Sequence, residues 1–156
     1  MSLAGKRIVI TGAAGALGRG VTALAREQGA EVLAVDLAFP ADWDAASHGS
    51  PVVLDLGDTA ATQAALADAG RIDVLFNLAG GFDMGPCTWE VTEQAWREMF
   101  HINVSTLQNA VRAVVPGMLA RGRGAIVNVG ALGALKGQVE AYYRDLESGP
   151  AAEEPT

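Results

Sequence analysis

The chain has 156 residues, of which 50% are hydrophobic and 19% are charged, so it can build one packed domain and does not resemble a disordered protein. Its net charge of -7 would be repelled by phosphate backbones and anionic lipid, so neither nucleic acid nor a membrane surface is an expected partner. Cys87 is the single cysteine, which excludes an internal disulfide and a cysteine-based metal cluster, and no metal site is expected. A lone thiol and the lack of a bilayer-length apolar run predict a cytoplasmic protein.

Short apolar runs alternate with longer helical patterns along the chain, which predicts an α/β fold with parallel strands and crossover helices. Strands are predicted at residues 7–10, 31–36, 52–54, 72–76 and 125–129. Helices are predicted at residues 15–28, 59–69 and 92–119. Gly29 should end the first helix and Thr92 should cap the last, in which Pro116 should cause a bend or an end.

Large apolar side chains recur at helical spacing in the last predicted helix, at Trp96, Phe100, Val104, Leu107 and Val111. Trp96 and Phe100 are therefore expected to fill core or pocket-wall positions. After this region the composition changes, because residues 138–156 are polar and acidic and predict no further strand. The expected organisation is a dinucleotide-binding domain over residues 1–137 followed by a disordered tail over residues 138–156.

The most informative segment is Thr-Gly-Ala-Ala-Gly-Ala-Leu-Gly at residues 11–18, which joins the first predicted strand to the first helix. Glycines let the backbone approach a pyrophosphate, and the helix N-terminus offers it free N–H groups. Asp36 ends the second strand, where a carboxylate can accept hydrogen bonds from ribose hydroxyls and would repel a 2′-phosphate. Leu37 follows it in place of an arginine, so NAD is expected in preference to NADP. The alternative is an ordinary strand-to-helix turn beside a solvated Asp36, but the ordered set of elements disfavours it.

Four further segments follow the glycine loop in a recognisable order. They are Asp55-Leu56, Asn77-Leu78-Ala79-Gly80, His101-Ile102-Asn103-Val104 and the strand at residues 124–129. Together with the glycine loop, these motifs resemble the single-domain branch of the short-chain dehydrogenase/reductase family over residues 4 to about 137. The resemblance implies a Rossmann-like doubly wound sheet of about five strands in the order 3-2-1-4-5. It also implies cofactor contacts from Thr11, Gly12, Ala14, Gly15, Leu17, Gly18, Asp36, Asp55, Leu56, Asn77, Ala79 and Gly80.

The resemblance further implies hydride transfer between a nicotinamide and an alcohol or carbonyl carbon, with Asn103 and Tyr143 as the catalytic positions that this chain retains. The family uses a lysine four residues after its tyrosine, but Glu147 stands there, and a glutamate would raise the pKa of the phenol. The family serine after the fifth strand is replaced by Gly-Ala at residues 130–131. Impaired catalysis is therefore expected, and for the tyrosine a packing role is favoured over a chemical one.

The resemblance also implies that the last strands and helices of the family are missing, through truncation or a frameshift. Their absence would leave an open sheet edge and apolar surface on the fifth strand and on the helix over residues 103–119. One base gained or lost after Tyr143 would let codons for residues 144–148 encode the family's Ser-Lys, which sequencing the gene tests. The favoured function is an NAD-dependent oxidoreductase of a small alcohol or ketone, and a homo-oligomer would follow the family. The alternatives are a non-catalytic dinucleotide-binding protein and an inactive truncated product.

Overall fold

The computed structural model describes residues 3–82 and 87–130 of the chain. Its centre is a sheet of five strands in the order β3-β2-β1-β4-β5, and every neighbouring pair is parallel. The strands are β1 (Arg7–Thr11), β2 (Glu31–Asp36), β3 (Ser50–Val53), β4 (Val74–Asn77) and β5 (Ala125–Asn128). The predicted fold class and strand order are therefore confirmed.

Helices join these strands as crossovers. They are α1 (Ala16–Glu27), α2 (Ala45–His48), α3 (Thr59–Asp68), α4 (Glu93–Phe100) and α5 (Thr106–Ala120). A 3₁₀ turn (Thr88–Glu90) precedes α4, and a π-helical segment (His101–Ser105) lies between α4 and α5. The single helix predicted over residues 92–119 is thus three segments, and the short α2 was not predicted from the sequence.

Alternate residues of β1 pack on opposite faces of the sheet, as a doubly wound fold requires. Ile8 and Ile10 are fully buried and belong to one core cluster with Ala25 of α1. Val9 belongs to the second cluster, on the face that α3 covers with Leu66 and that α5 also covers. Both faces of β1, the central strand, are buried, which explains its uninterrupted apolar sequence.

Helix ends follow the predicted capping at two places. Gly29 has a φ of +83°, and its N–H and that of Ala30 bond to carbonyl groups in the last turn of α1, closing that helix. The Thr92 side chain accepts the Ala95 N–H at 3.1 Å and caps α4. Pro116 does not end α5, which continues to Ala120. Of the two predicted effects, a bend or an end, the end was wrong. Pro116 is exposed, so solvent can satisfy the carbonyl that lacks a helical partner.

Three large apolar residues of α4 and the π segment face outward, contrary to the sequence expectation. Trp96, Phe100 and Val104 are 65%, 54% and 42% exposed. The buried residues of α5 are Thr106, Asn109, Ala110, Val114 and Met118. Small and polar side chains therefore form much of the inner face of this helix. A prediction from hydrophobic size alone placed the wrong residues on that face.

The expected apolar surface on the fifth strand is present in the described part of the chain. Ile126 and Val127 of β5 are 36% and 38% exposed, and Leu119 of α5 is 74% exposed. β5 is the last strand of the described sheet, so one of its edges makes no described ladder. The predicted tail over residues 138–156 lies outside the described residues.

Candidate functional site

A cleft of about 560 Å³ opens where the carboxyl ends of β1, β2, β3 and β4 meet. Parallel α/β sheets bind ligands at this edge, near the point where the strand order reverses. Eight of the predicted cofactor contacts line the cleft: Gly12, Ala14, Gly15, Asp36, Asp55, Leu56, Ala79 and Gly80. The chain thus brings together residues that are far apart in sequence.

Thr11 lies beneath the cleft and joins β1 to the loop after β4. Its buried hydroxyl accepts the N–H groups of Leu78 and Ala79, each at 3.1 Å, and donates to the Phe76 carbonyl at 3.4 Å. A hydroxyl can donate once and accept twice, so this side chain uses its full capacity. Thr11 therefore sets the spacing between two loops of the cleft.

Two glycines of the loop are required by close backbone contacts. Gly12 has a φ of +65°, and a Cβ on it would lie 2.7 Å from the Ala79 nitrogen. A Cβ on Gly18 would overlap the Gly12 carbonyl oxygen and lie 2.7 Å from the Ala13 carbonyl carbon. Gly18 therefore lets α1 pack tightly against the loop from below, and Gly12 lets the loop cross the end of β4.

The N-terminus of α1 faces the cleft without a side-chain cap. Gly15 occupies the N-cap position and makes no side-chain bond, and the first turn carries no acidic residue. Uncapped N–H groups and the positive end of the helix dipole form a site that favours an anion. Gly15 lines the cleft, so an anion bound there would meet backbone without steric hindrance.

Asp36 faces the same cleft from the end of β2. Its Oδ2 accepts the Ala14 N–H at 2.9 Å and its Oδ1 accepts the Leu37 N–H at 2.7 Å. Each carboxylate oxygen has about two acceptor sites, so each keeps one for a ligand hydroxyl. Arg19 Nε donates to the Ala14 carbonyl at 3.2 Å, so the Ala14 residue is held from both sides.

Asn77 lies below the cleft and does not line it. Its Nδ2 donates to Asn128 Oδ1 at 2.9 Å, across the register of β4 and β5. Asn77 Oδ1 is buried and has no hydrogen-bond partner among the described residues. Leu17, another predicted contact, is 55% exposed and also lies outside the cleft lining.

Asn103 lies in the π segment and holds the loop after β4. Its Nδ2 donates to the carbonyl groups of Gly81 and Met99, each at 2.9 Å, and its Oδ1 accepts the Gly81 N–H at 3.1 Å. Thr106 donates its hydroxyl to the Ile102 carbonyl at 2.8 Å. These side chains satisfy carbonyl groups that the wide π turn would leave unpaired. Tyr143, the other predicted catalytic residue, lies outside the described residues.

Six lining residues were not among the predicted contacts: Leu37, Leu54, Leu78, His101, Ile102 and Thr106. Leu37 and Leu54 adjoin Asp36 and Asp55, so extending each motif by one residue would have found them, and Leu78 lies inside the motif at residues 77–80. The other three belong to the π segment and the start of α5. His101 and Ile102 stand in the motif around Asn103, but the motif assigns them no contact, because the helix wall meets the cleft only through tertiary packing.

The largest described pKa shift lies at the opposite end of the sheet. Hydrogen bonds from the Arg71 guanidinium lower the pKa of Asp73 to about 2, and the Arg7 N–H contributes further. The Arg71 Nη2 atom is 2.7 Å from Asp73 Oδ2. Because this pair lies before β4 and away from the cleft, its role is structural.

Within residues 3–82 and 87–130, no group of three His, Cys, Asp or Glu side chains is arranged to hold a metal ion. No helix in the same ranges is long and apolar enough to cross a membrane.

Comparisons with known proteins agree with this geometry. The family model for short chain dehydrogenase matches residues 6–143. The chain is 40% identical over 130 residues to 2-keto-3-deoxy-L-fuconate dehydrogenase of Xanthomonas campestris pv. campestris, covering 81% of this chain and 43% of that protein. It is 38% identical over 138 residues to D-xylose 1-dehydrogenase of Caulobacter vibrioides, covering 84% and 55%.

Among solved structures, carveol dehydrogenase from Mycobacterium avium in complex with NAD has a TM-score of 0.70 and 26% identity. That match covers 81% of this chain and 54% of the other. The chain spans about half the length of the curated relatives that it matches. Since the family model covers most of the chain and the sheet, loop and cleft agree with it, the chain belongs to the short-chain dehydrogenase family.

Proposed function

We propose that this chain binds NAD in the cleft at the carboxyl edge of its sheet, as the nucleotide-binding part of an oxidoreductase that acts on a small alcohol or carbonyl compound. The observation that carries the proposal is the pairing of an uncapped helix N-terminus at Gly15 with the Asp36 carboxylate. One site favours a pyrophosphate and the other favours a neutral diol, which are two parts of the same cofactor.

The residues present fit such a dinucleotide. A side chain at Gly12 would collide with backbone, so the loop is shaped to let a ligand approach the main chain closely. The amides at the start of α1 would hold the pyrophosphate, Asp36 would accept from a ribose, and Asp55 and Leu56 would meet the adenine end. NAD, when bound, supplies hydride acceptance and donation at its nicotinamide ring.

Preference for NAD over NADP follows from the charge of Asp36. A 2′-phosphate carries negative charge, and Asp36 would oppose it at hydrogen-bond distance. Leu37, the next residue, is 67% exposed and offers no cation. The remaining acceptor sites of the carboxylate suit the two hydroxyls of an unmodified ribose.

Asp36→Asn tests this preference while keeping an acceptor for the Ala14 N–H. Removing the charge should weaken NAD⁺ binding about 10- to 150-fold, because a hydrogen bond to a charged group contributes about 1.5–3 kcal/mol. Binding of NADP⁺ should weaken less or improve, so the ratio of the two dissociation constants, measured by titration calorimetry, should fall. An unchanged ratio would contradict the role given to Asp36.

The relatives from Xanthomonas campestris and Caulobacter vibrioides support a sugar or sugar-acid substrate, since both are named as dehydrogenases of such compounds. Incubating the protein with NAD⁺ and a panel of aldoses, ketoses and deoxy sugar acids, while following absorbance of the reduced nicotinamide, tests this class. Oxidation of simple secondary alcohols or terpene alcohols in place of sugars would refute the substrate proposal.

A second candidate is a dinucleotide-binding protein without turnover. Gly130, at the place of the family serine, offers no hydroxyl, and a Cβ there would meet nothing within 4 Å in the structure. A Gly130→Ser variant therefore has room for the side chain. Nucleotide binding without turnover in the native chain, and turnover gained in this variant, would favour the second candidate.

A further inference from the structure

His101 is a lining residue of the cleft to which neither the resemblance nor the comparisons assign a role. It is the first residue of the π segment, and it lines the cleft from the wall opposite β3. Its ring lies over the loop after β3, because Nε2 and Cε1 are 2.5 and 3.0 Å from the position of a Cβ on Gly57. Because Gly57 has no Cβ, the imidazole can pack directly against this loop.

Asp55 approaches the same point from the other side. Its Oδ1 is 2.9 Å from the Cβ position of Gly57, against 2.5 Å for His101 Nε2, so the two atoms are at most about 5.4 Å apart. Asp55 Oδ1 also accepts the Gly57 N–H at 2.7 Å, which fixes the carboxylate. An acidic acceptor and an imidazole therefore form two sides of one end of the cleft.

This end of the cleft is where the proposed function puts the base of the dinucleotide. In a doubly wound fold the pyrophosphate lies at the loop between β1 and α1, and the ribose lies at the end of β2. Asp36 marks the ribose position, so the base extends toward the loop after β3, where Leu54, Asp55 and Leu56 line the cleft. His101 is the titratable ring on the helix wall that faces these residues.

We infer that His101 is a base-specificity residue, which contacts adenine across from Asp55 and favours a 6-amino purine over a 6-oxo purine. The inference rests on the proposed function, since it needs a dinucleotide in the cleft. Asp55 offers acceptor atoms that suit the exocyclic amino group of adenine. The imidazole supplies a flat ring that packs on the base and holds its amino edge toward the carboxylate, so the discrimination by Asp55 depends on the contact with His101. A 6-oxo purine would direct an oxygen at the carboxylate and lose this match.

His101→Ala tests the inference with NAD⁺ and its 6-oxo analogue, nicotinamide hypoxanthine dinucleotide, by titration calorimetry. Loss of a ring contact to a base should weaken NAD⁺ binding about 5- to 20-fold. The 6-oxo analogue should weaken about 2-fold or less, so the preference for NAD⁺ falls. Gln94→Ala is the matched control, because Gln94 lies on α4 beside His101 but outside the cleft lining.

Gly57→Ala provides a second test that leaves the imidazole in the chain. Gly57 does not have a positive φ, so alanine fits the backbone, but its methyl group would displace both His101 and Asp55 Oδ1. NAD⁺ binding should weaken at least as much as in His101→Ala, and the double variant should stay within about 3-fold of Gly57→Ala. Thermal melts of each variant without nucleotide verify that the fold is intact.

The outcomes separate the two proposals. If the native protein binds NAD⁺ but His101→Ala binds it within 2-fold and keeps the same preference over the 6-oxo analogue, the role of His101 is refuted while the proposed function stands. If effects of Gly57→Ala and His101→Ala simply multiply, the contact between them is refuted. If the native protein binds neither dinucleotide, the proposed function fails and the inference fails with it.

Discussion

Gly18→Ala is the substitution that most directly tests the close packing of α1 against the glycine loop. A methyl group there would overlap the Gly12 carbonyl oxygen and lie 2.7 Å from the carbonyl carbon and Cα of Ala13. All three atoms are backbone, so no side chain can rotate to make room. Gly20, in the same helix, has nothing within 4 Å of its Cβ position and serves as the matched control.

The two substitutions should change stability in opposite directions. Alanine is favoured over glycine inside a helix by about 1 kcal/mol, so Gly20→Ala should raise the free energy of unfolding by about 0.5–1 kcal/mol. Gly18→Ala gains the same propensity but meets an overlap of the kind that costs about 1–3 kcal/mol, and more against fixed backbone. A net loss of about 2 kcal/mol is therefore expected for Gly18→Ala.

Urea denaturation followed by tryptophan fluorescence or circular dichroism measures both changes, and adding NAD⁺ adds a functional readout. Displacement of the loop should remove the stabilisation by NAD⁺ in Gly18→Ala and preserve it in Gly20→Ala. If Gly18→Ala were as stable as Gly20→Ala and still gained stability from NAD⁺, the packing described for residues 12–18 would be wrong.

Two further perturbations test other contacts. Because the pKa of Asp73 is lowered to about 2 by Arg71, the stability it contributes is complete above about pH 4–5 and is lost as the pH falls toward 2. The loss should be about 1–2 kcal/mol, since Arg71 is half exposed, and Asp73→Asn should flatten this part of the profile of urea midpoint against pH. Thr11→Val leaves two N–H groups without their acceptor and should cost about 2–4 kcal/mol, whereas Thr11→Ser should cost much less. Equal urea midpoints for the two Thr11 variants would contradict the role of the hydroxyl.

The sheet was predictable because its signals are local. Local backbone geometry determines three of these signals, and each can be recognised in the sequence. They are the apolar run at residues 7–10, the glycines at residues 11–18 and Asp36. The structure confirms the strand order and brings Asp36 to the cleft, where its neighbour Ala14 also lies. Residues that contact the main chain of the same or the next element were thus within reach of pattern analysis.

The helix wall of the site was not predictable, because its inner face does not follow hydrophobic size. Asn109 is buried and donates to the Leu56 carbonyl at 2.8 Å, while Trp96 is 65% exposed. A pattern analysis ranks tryptophan as buried and asparagine as exposed. Here a tertiary hydrogen bond stabilises the buried Asn109, and Trp96 lies on a face of α4 that no described element covers. His101 stands in a recognised motif, but its place in the cleft was not predicted, since only the contact with Gly57, far away in sequence, reveals it.

The Ala14 residue carries a consequence for how fast and how tightly a ligand can associate. Its N–H is held by Asp36 and its carbonyl by Arg19, and the Gly12 carbonyl accepts the Gly15 N–H at 3.2 Å. The loop is therefore preorganised, and its backbone loses little conformational entropy when a ligand binds. Association should then be governed by diffusion and desolvation, and the enthalpy of association should contain little contribution from loop rearrangement.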